Sequence, residues 1–309
     1  MEKIMKKRVT AGTVKKSGQL GAKFKKNISA WCILLPSVIL MCYIVWRPIF
    51  ISLYYSLFKM QGYNLVEFVG LKNYVDVLTD SLFLKTLWNT VKYVLLSAVI
   101  GFPLPIILAV MLNEIVHMKG FFKISLYIPA IIPGIAVSMI WYYMYFPDPS
   151  GFLNMVRSFF GLEPAAWLQD GRYTILYIVI SMTWQGMGGT MIMYLAGLSG
   201  INQDLYEASK IDGAGFFRKI WHVTIPQMRS IFILMAARQV ISVFQVMEQP
   251  LAMTGGGPDN ESITLALQTY QYAFDQFQMS KALSLSTVTF LLLMVFTIGY
   301  FWLEKKLDD

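Results

Sequence analysis

The sequence predicts an all-α integral membrane protein with six transmembrane helices. Hydrophobic residues make up 56% of the 309 residues and charged residues only 14%, and the mean hydropathy is +0.53. A soluble domain usually carries about a quarter charged residues, because it must cover its surface. The apolar residues also fall in long blocks, and a helix needs roughly 20 of them to span a hydrocarbon core.

Six such blocks predict six spans, and each is expected to be a continuous helix because lipid offers no partner for open backbone. The blocks cover residues 29–53, 91–112, 121–146, 173–198, 230–253 and 283–303. Four prolines within the second and third blocks are expected to kink those helices without ending them: Pro103, Pro105, Pro129 and Pro133. The chain thus divides into a basic segment of residues 1–28, a six-helix domain of residues 29–304 and a tail of residues 305–309.

The lysines and arginines predict the orientation of the spans. Seventeen of the 26 fall before the first span, after the second and fourth, or in the tail, whereas six fall in the opposite loops. Because cytoplasmic loops carry the excess, both termini are predicted to be cytoplasmic. The net charge of +8 then reflects topology and contact with anionic lipid, not nucleic-acid binding. A cleaved signal peptide is the alternative for the basic start, but the first block exceeds the ~7–15 residues of a signal core.

The sequence offers no catalytic or metal-binding cluster. Cys32 and Cys42 lie ten residues apart on one predicted helix, about 15 Å along its axis, which is too far for a disulfide. There are only two histidines, and neither a phosphate-binding loop nor a nucleophile motif is present. No metal site and no catalytic residues are therefore predicted.

The most informative segment is the predicted cytoplasmic loop of residues 202–228. Asp204 can cap a short helix, with Glu207 three residues later in a capping box. Gly213 or Gly215 can end that helix in a left-handed turn, and Pro226 is expected to end a second short helix. This pattern predicts two short helices across the cytoplasmic mouth, shaped to fit a groove in another protein. For Glu207, simple capping is the alternative interpretation.

Residues 207–226 resemble the EAA loop of binding-protein-dependent ABC importer permeases, in which EAA is followed by DGA and a later LP. Ser209 and Ile225 replace an alanine and a leucine of that pattern. Six residues match in register: Glu207, Ala208, Asp212, Gly213, Ala214 and Pro226. The segments MTGGGPDNES and FVGLKNY are similar to the carbohydrate branch of the family, which includes maltose, multiple-sugar and glycerol-phosphate permeases.

The resemblance implies a type I importer permease in a bacterial inner or plasma membrane. Its coupling loop would seat on an ABC ATPase dimer, which would bind ATP and Mg, so that no cofactor is expected on this chain. Glu207 would meet a basic residue of the ATPase, and Gly213 would permit the tight turn. A second homologous permease, an extracytoplasmic sugar-binding protein and a sugar substrate are the other implied partners.

Polar residues in spans four and five are candidates for the substrate path. A stripe on one face of span five, with Glu248 beside it, consists of Arg238, Ser242, Gln245 and Gln249. A charge at mid-membrane costs about 2.5–3.5 kcal/mol, so such residues usually face the bundle interior or water. The stripe either lines a path for sugar hydroxyls or only joins helices. In span four, Trp184 and Gln185 are further candidates, and close helix packing explains the glycines of WQGMGGT.

Two other classes of function remain as alternatives. An ion-coupled secondary transporter of a small polar solute would typically show internal repeats around a mid-membrane ion site, and no clear repeat is present. A membrane-embedded enzyme would need converging acid, base or metal groups, and the sequence suggests none.

Overall fold

The structure is a computed structural model that describes residues 31–115 and 117–308. The predicted basic segment of residues 1–28 and the first two residues of the first predicted span lie outside the described residues. The chain divides into two compact units at Tyr55. In the first unit, helix α1 (Trp31–Tyr55) contains a π-helical turn at Cys42–Trp46. Most of its side chains are exposed.

The second unit is mostly helical and begins with a β-hairpin, which the all-α prediction did not include. Strand β1 (Phe58–Gln61) pairs antiparallel with β2 (Asn64–Phe68). The helices that follow are α2 (Lys72–Leu78), α3 (Ser81–Val99), α4 (Pro103–Glu114), α5 (Lys119–Ile131), α6 (Gly134–Met144), α7 (Phe152–Phe159), α8 (Thr174–Ser199), α9 (Gln203–Ile211), α10 (Phe216–Lys219), α11 (Ile225–Gln227), α12 (Arg229–Phe244), α13 (Glu248–Thr254), α14 (Leu265–Tyr270) and α15 (Met279–Asp308).

Within the described residues, four helical segments are long and apolar enough to cross a membrane, or six if each of two bent pairs forms one span. The four are Trp31–Tyr55, Ser81–Glu114, Thr174–Ser199 and Met279–Lys306. The pair α5–α6 bends by 96° and the pair α12–α13 by 41°. The positions of the spans agree with the sequence prediction, but the expected continuity of the third and fifth is wrong.

Prolines account for part of this irregularity. Pro133 precedes α6 at the sharp bend, and Pro103 opens α4 after a turn at residues 100–102, so the expected kink without a helix end is wrong at both. By contrast, Pro129 lies inside α5 without ending it. Because proline fixes its own φ and lacks an N–H, it is tolerated best at the start of a helix.

The second span begins ten residues earlier than predicted because Asp80 caps it. One carboxylate oxygen of Asp80 accepts a hydrogen bond from the Leu82 amide at 2.9 Å. The other accepts one from the Tyr272 hydroxyl at 2.9 Å and lies 3.9 Å from Lys281 Nζ. The bond from the Leu82 amide contributes most to lowering the pKa of Asp80, and Tyr272 and Lys281 lower it further. At the other end of the chain, α15 continues into the predicted tail as far as Asp308.

Helix α8 lies at the centre of the bundle. Its first half belongs to a buried cluster that includes Tyr93, Tyr145, Ile178, Val179 and Val243. Its second half belongs to another cluster, which includes Leu112, Met191, Tyr194, Leu198 and Met228. Because α8 contacts both bent pairs, its side chains lie where a path through the bundle can form.

The loop of residues 255–262 is held against the opposite end of the bundle from the 202–228 loop. Three side chains, spaced about one turn apart on α3, bind its backbone: Lys85 Nζ to the Asp259 carbonyl (2.5 Å), Asn89 Nδ2 to the Asn260 carbonyl (2.9 Å) and Tyr93 Oη to the Ser262 carbonyl (3.1 Å). Lys85 also forms an ion pair with Glu261 at 2.9 Å. This loop is therefore fixed to the start of the second span.

Asn154 organises the connection between α6 and α8. The side chain is only 1% exposed, and its Nδ2 donates to the carbonyls of Pro147, Asp148 and Ala165 at 3.0–3.2 Å. Its Oδ1 accepts hydrogen bonds from the Ala165 amide at 2.9 Å and from Trp167 Nε1 at 2.7 Å. One amide side chain thus satisfies backbone groups on both sides of α7.

We expect Asn154→Ala to loosen this connection. Each buried group left without a partner costs about 1–3 kcal/mol, so amide exchange at Ala165 should rise by about ten- to a hundredfold. Hydrogen exchange of the purified protein measures this change. Ser158→Ala is the matched control, because that hydroxyl bonds only the carbonyl of Met155 in its own turn. Equal protection in the two variants would contradict the assignment.

Candidate functional site

Two adjoining cavities lie beside the middle of α8. The Arg238 cavity has a volume of about 480 Å³ and is lined by residues of α8, α12 and the α3–α4 turn. The Glu248 cavity has a volume of about 770 Å³ and is lined by α8, the α12–α13 break, α14 and α15. The two cavities share four lining residues: Met182, Gln185, Gly186 and Ser242. Together they form an almost continuous space along the bundle.

Most of the predicted path residues line these cavities. Arg238 lines the first, Ser242 and Gln185 line both, and the second is lined by Gln245, Glu248 and Gln249. Trp184 lines neither, because its ring packs against Trp141 edge-to-face with 5.8 Å between centroids. The single helical face assumed for the stripe is wrong, because the break at residues 245–247 separates Gln249 on α13 from the stripe residues of α12.

Gln185 connects the two bent pairs. Its Nε2 donates to the Ile132 carbonyl at 3.4 Å, at the break between α5 and α6. Its Oε1 accepts a hydrogen bond from Gln249 Nε2 at 3.2 Å, just beyond the break between α12 and α13. Gln185 therefore joins helices and lines both cavities at once.

The carboxylate of Glu248 lies against Gly134, the first residue of α6. A Cβ atom added at Gly134 would collide with that carboxylate. The first amides of a helix lack intrahelical partners, and the N-terminus is the positive end of the helix dipole. Both features favour a nearby anion. Glu248 is exposed, so its carboxylate lines the cavity with the first turn of α6 beside it.

The glycines of α8 have two different roles. An added Cβ at Gly188 would meet the backbone of Leu126 and Tyr127, so Gly188 permits close packing of α5 on α8. Gly186 and Gly189 have open space instead and line the cavities. The expectation that close packing explains the glycines is therefore confirmed for Gly188 and wrong for the other two.

Several lining residues were missed by the sequence analysis. Gln239 Nε2 donates to Ser97 Oγ at 2.5 Å, which joins α12 to the second span at the wall of the Arg238 cavity. The Glu248 cavity is also lined by Thr269, Ser286 and Thr289. The spacing of Ser286 and Thr289, three residues apart in an apolar span, is the signal that marks one polar face of α15.

The loop of residues 202–228 begins with a capped helix, although the capping residue differs from the expected one. Asn202, not Asp204, caps α9, and its side-chain oxygen accepts a hydrogen bond from the Asp204 amide at 3.0 Å. Asp204 instead lies in the first turn of the helix. Asn202 is the better cap because its extended backbone directs the side chain at the free amides.

Of the two glycines predicted to end α9, Gly213 is the one that does. Its φ is +72°, a left-handed conformation that glycine adopts without a steric penalty. The amides of Gly213 and Ala214 donate to the carbonyls of Lys210 and Ser209 at 3.0 and 2.9 Å, which is the Schellman pattern of a helix end. Gly215 has an ordinary negative φ.

The second arm of the loop leads directly into span five. A π-helical segment, Ile220–Thr224, connects α10 to α11, and Pro226 lies in the first turn of α11 instead of ending a helix. Tyr206 and Thr224 join the two arms through their hydroxyls at 3.1 Å. Glu207, Ala208 and Asp212 are exposed, Ala214 is half-buried and Ser209 is buried. Five large apolar side chains of this loop are also exposed: Leu205, Ile211, Phe216, Phe217 and Trp221.

Comparison with known proteins places these features in a family. The family model described as "Binding-protein-dependent transport system inner membrane component" matches residues 32–309. The chain is 29% identical over 279 residues to the probable ABC transporter permease protein YurN of Bacillus subtilis (strain 168), covering 89% of this chain and 95% of that protein. It is 30% identical over 285 residues to the multiple sugar-binding transport system permease protein MsmF of Streptococcus mutans, covering 90% and 96%.

A solved structure has the same fold. It is a crystal structure of a bacterial ABC transporter involved in the import of the acidic polysaccharide alginate. One of its chains superimposes with a TM-score of 0.80 at 22% identity, and the match covers 94% of this chain and 100% of that one. A second structure of that transporter is in complex with a periplasmic protein bound to an alginate pentasaccharide.

The two kinds of glycine on α8 should respond differently to substitution. Gly188→Ala forces a Cβ atom into the backbone of α5, and overpacking of this kind costs about 1–3 kcal/mol. Gly186→Ala enters open space and gains up to about 1 kcal/mol of helix propensity. Thermal unfolding of the purified protein should therefore show a lower midpoint only for Gly188→Ala. The same midpoint for both variants would contradict this account of the glycines.

Proposed function

Since the chain belongs to the family of binding-protein-dependent transport system inner membrane components, we propose that it forms the path by which a sugar or oligosaccharide crosses a bacterial cell membrane. The observation that carries this proposal is the pair of cavities that meet at Gln185 and Ser242, halfway along a membrane-spanning helix. A path through the bundle needs such a space at mid-depth.

The lining suits a polyhydroxylated substrate. Amide and hydroxyl groups predominate among its polar side chains, and each can both donate and accept hydrogen bonds: Gln185, Gln239, Ser242, Gln245, Gln249, Thr269, Ser286 and Thr289. Arg238 and Glu248 add one charge of each sign. A relative named for multiple sugars and a transporter of alginate support this choice of substrate class.

Transport by alternating access would be driven through the 202–228 loop. We propose that a separate ABC ATPase dimer, which binds ATP and Mg, receives the exposed residues Glu207, Ala208 and Asp212 together with the neighbouring apolar side chains. The loop suits this role because α9 and α10–α11 are tied to each other through Tyr206 and Thr224, and the second arm leads into α12. A displacement of the loop would thus reach Arg238 and Ser242 on the same helix.

The remaining partners follow from the family. Its name includes a binding protein, and we propose that an extracytoplasmic sugar-binding protein delivers the substrate and that a second homologous permease completes the path. The excess of lysine and arginine near the 202–228 loop and both termini supports a cytoplasmic location for these segments.

Gly213→Val should uncouple the ATPase. A β-branched residue at a positive φ is a steric outlier, so the turn that ends α9 would be disrupted. Gly215→Val is the matched control, because Gly215 has an extended backbone and open space around it. We expect both variants to reach the membrane, and only Gly213→Val to lose co-purification with the ATPase and ATP-driven uptake into proteoliposomes.

Two outcomes of this experiment would refute the proposed function. One is wild-type coupling in Gly213→Val. The other is uptake by the native complex that needs no ATP and follows a proton or sodium gradient, which would identify an ion-coupled transporter.

Substitutions in the cavities should change transport more than assembly. Arg238→Ala and Gln245→Ala remove lining groups, and loss of one hydrogen bond to a bound substrate costs about 0.5–1.5 kcal/mol, or about two- to tenfold in apparent affinity. Trp184→Phe is the control, since Trp184 lines neither cavity. Uptake kinetics of the complex, with co-purification as the measure of assembly, test this. Unchanged kinetics in both alanine variants would assign these residues to helix packing.

A further inference from the structure

Helix α7 has its apolar face turned outward. Its exposed stripe follows the helical spacing i, i+3, i+4, i+7 and consists of Phe152 (51% exposed), Met155 (51%), Val156 (42%) and Phe159 (86%). The polar residue Asn154 lies on the buried side. In a helix that packs on a protein and faces water, the apolar stripe covers the core and polar residues face the solvent. The arrangement in α7 is the reverse.

This orientation is fixed by specific contacts. Asn154 binds backbone groups before and after the helix, and Arg157 Nε donates to the Glu163 carbonyl at 2.9 Å. The guanidinium of Arg157 also lies 5.8 Å from the ring centroid of Trp167, and Leu153 packs against the buried cluster around Tyr145. The helix cannot turn its stripe inward without breaking these contacts.

Exposed apolar residues also precede and follow α7 along the chain. Phe160 and Leu162 come directly after it, and Tyr143 and Phe146 lie at the end of the α5–α6 pair. The connection between α6 and α7 is short: α6 ends at Met144, and α7 begins eight residues later. The helix therefore lies close to the point where this span leaves the membrane.

We propose that α7 is an interfacial helix whose stripe of Phe152, Met155, Val156 and Phe159 inserts into the boundary between lipid headgroups and acyl chains. Amphipathic helices with phenylalanine on the apolar face bind membranes in this way. The exposed apolar area is removed from water there, which is favourable.

The chemistry of the stripe favours lipid over a protein partner. Protein interfaces carry about one hydrogen bond per 100–200 Å², whereas the four side chains of the stripe have no nitrogen or oxygen atom. Two charged side chains of this connection have other partners: Asp148 accepts bonds from Ser150, and Arg157 donates to the Glu163 carbonyl and lies over the Trp167 ring. The proposal does not depend on the transported substrate or on the energy source.

Spin labelling of the full-length protein in vesicles tests this proposal. A nitroxide at Phe159→Cys is compared with one at Ser158→Cys, the adjacent exposed residue outside the stripe, after Cys32→Ser and Cys42→Ser remove the free thiols. The vesicles contain equal parts of phosphatidylethanolamine and phosphatidylglycerol. Accessibility to oxygen and to a water-soluble nickel complex should place the label at Phe159 about 5–10 Å below the headgroup boundary, and that at Ser158 in the aqueous phase.

A second measurement keeps the native cysteines. Phe159→Trp and Glu163→Trp are compared in vesicles of the same composition with brominated acyl chains, and only the tryptophan at position 159 should add quenching above that of the unsubstituted protein. Two results would overturn the proposal. In one, the label at Phe159 reaches the nickel complex as readily as that at Ser158. In the other, it is shielded from both reagents, which would show that a protein covers the stripe.

Discussion

The backbone of a membrane-spanning segment must find all of its hydrogen-bond partners inside the protein, because lipid supplies none. The two places where spans break depend on this constraint. At the α5–α6 break, Gln185 Nε2 binds the free carbonyl of Ile132 at 3.4 Å. At the α12–α13 break, Thr264 Oγ1 binds the free carbonyl of Val246 at 2.7 Å. Neighbouring side chains thus replace the helical bonds that the bends remove.

This solution places polar groups where a path is needed. Gln185 binds the backbone at the α5–α6 break and also lines both cavities. The carboxylate of Glu248 lies against Gly134, the first residue after that break. A bundle of straight apolar helices would need neither residue. The bends therefore produce the space and the hydrogen-bonding groups together, and the glycines at positions 186 and 189 keep that space open.

Two exposed apolar surfaces of the chain differ in what surrounds them. In the 202–228 loop, Phe217 and Trp221 stand among exposed charged residues such as Glu207 and Asp212, a mixture typical of protein interfaces. On α7 the stripe carries no polar group. An exposed apolar patch marks either a protein interface or a membrane contact. The charged residues around the patch then distinguish a protein partner from a lipid surface.

The sequence by itself determined the features that depend on local composition and spacing. Long apolar blocks predicted the positions of the candidate spans, since hydrophobic length is a property of consecutive residues. The EAA-like segment indicated the family, and the end of α9 was narrowed to Gly213 or Gly215 because glycine adopts a left-handed turn without strain. The sequence also placed Arg238 and Ser242 on one face of a helix, because they are four residues apart.

Only the tertiary structure decided the features that depend on residues distant in the chain. The breaks at residues 132–133 and 245–247 persist because Gln185 and Thr264, far away in sequence, satisfy their carbonyls. Trp184 turns to Trp141 and away from the cavities for a similar reason. The outward stripe of α7 is visible in the sequence as a periodic pattern, but its direction is set by Asn154 and the backbone that it binds. Periodicity shows that a helix has two faces, and only its contacts decide which one is buried.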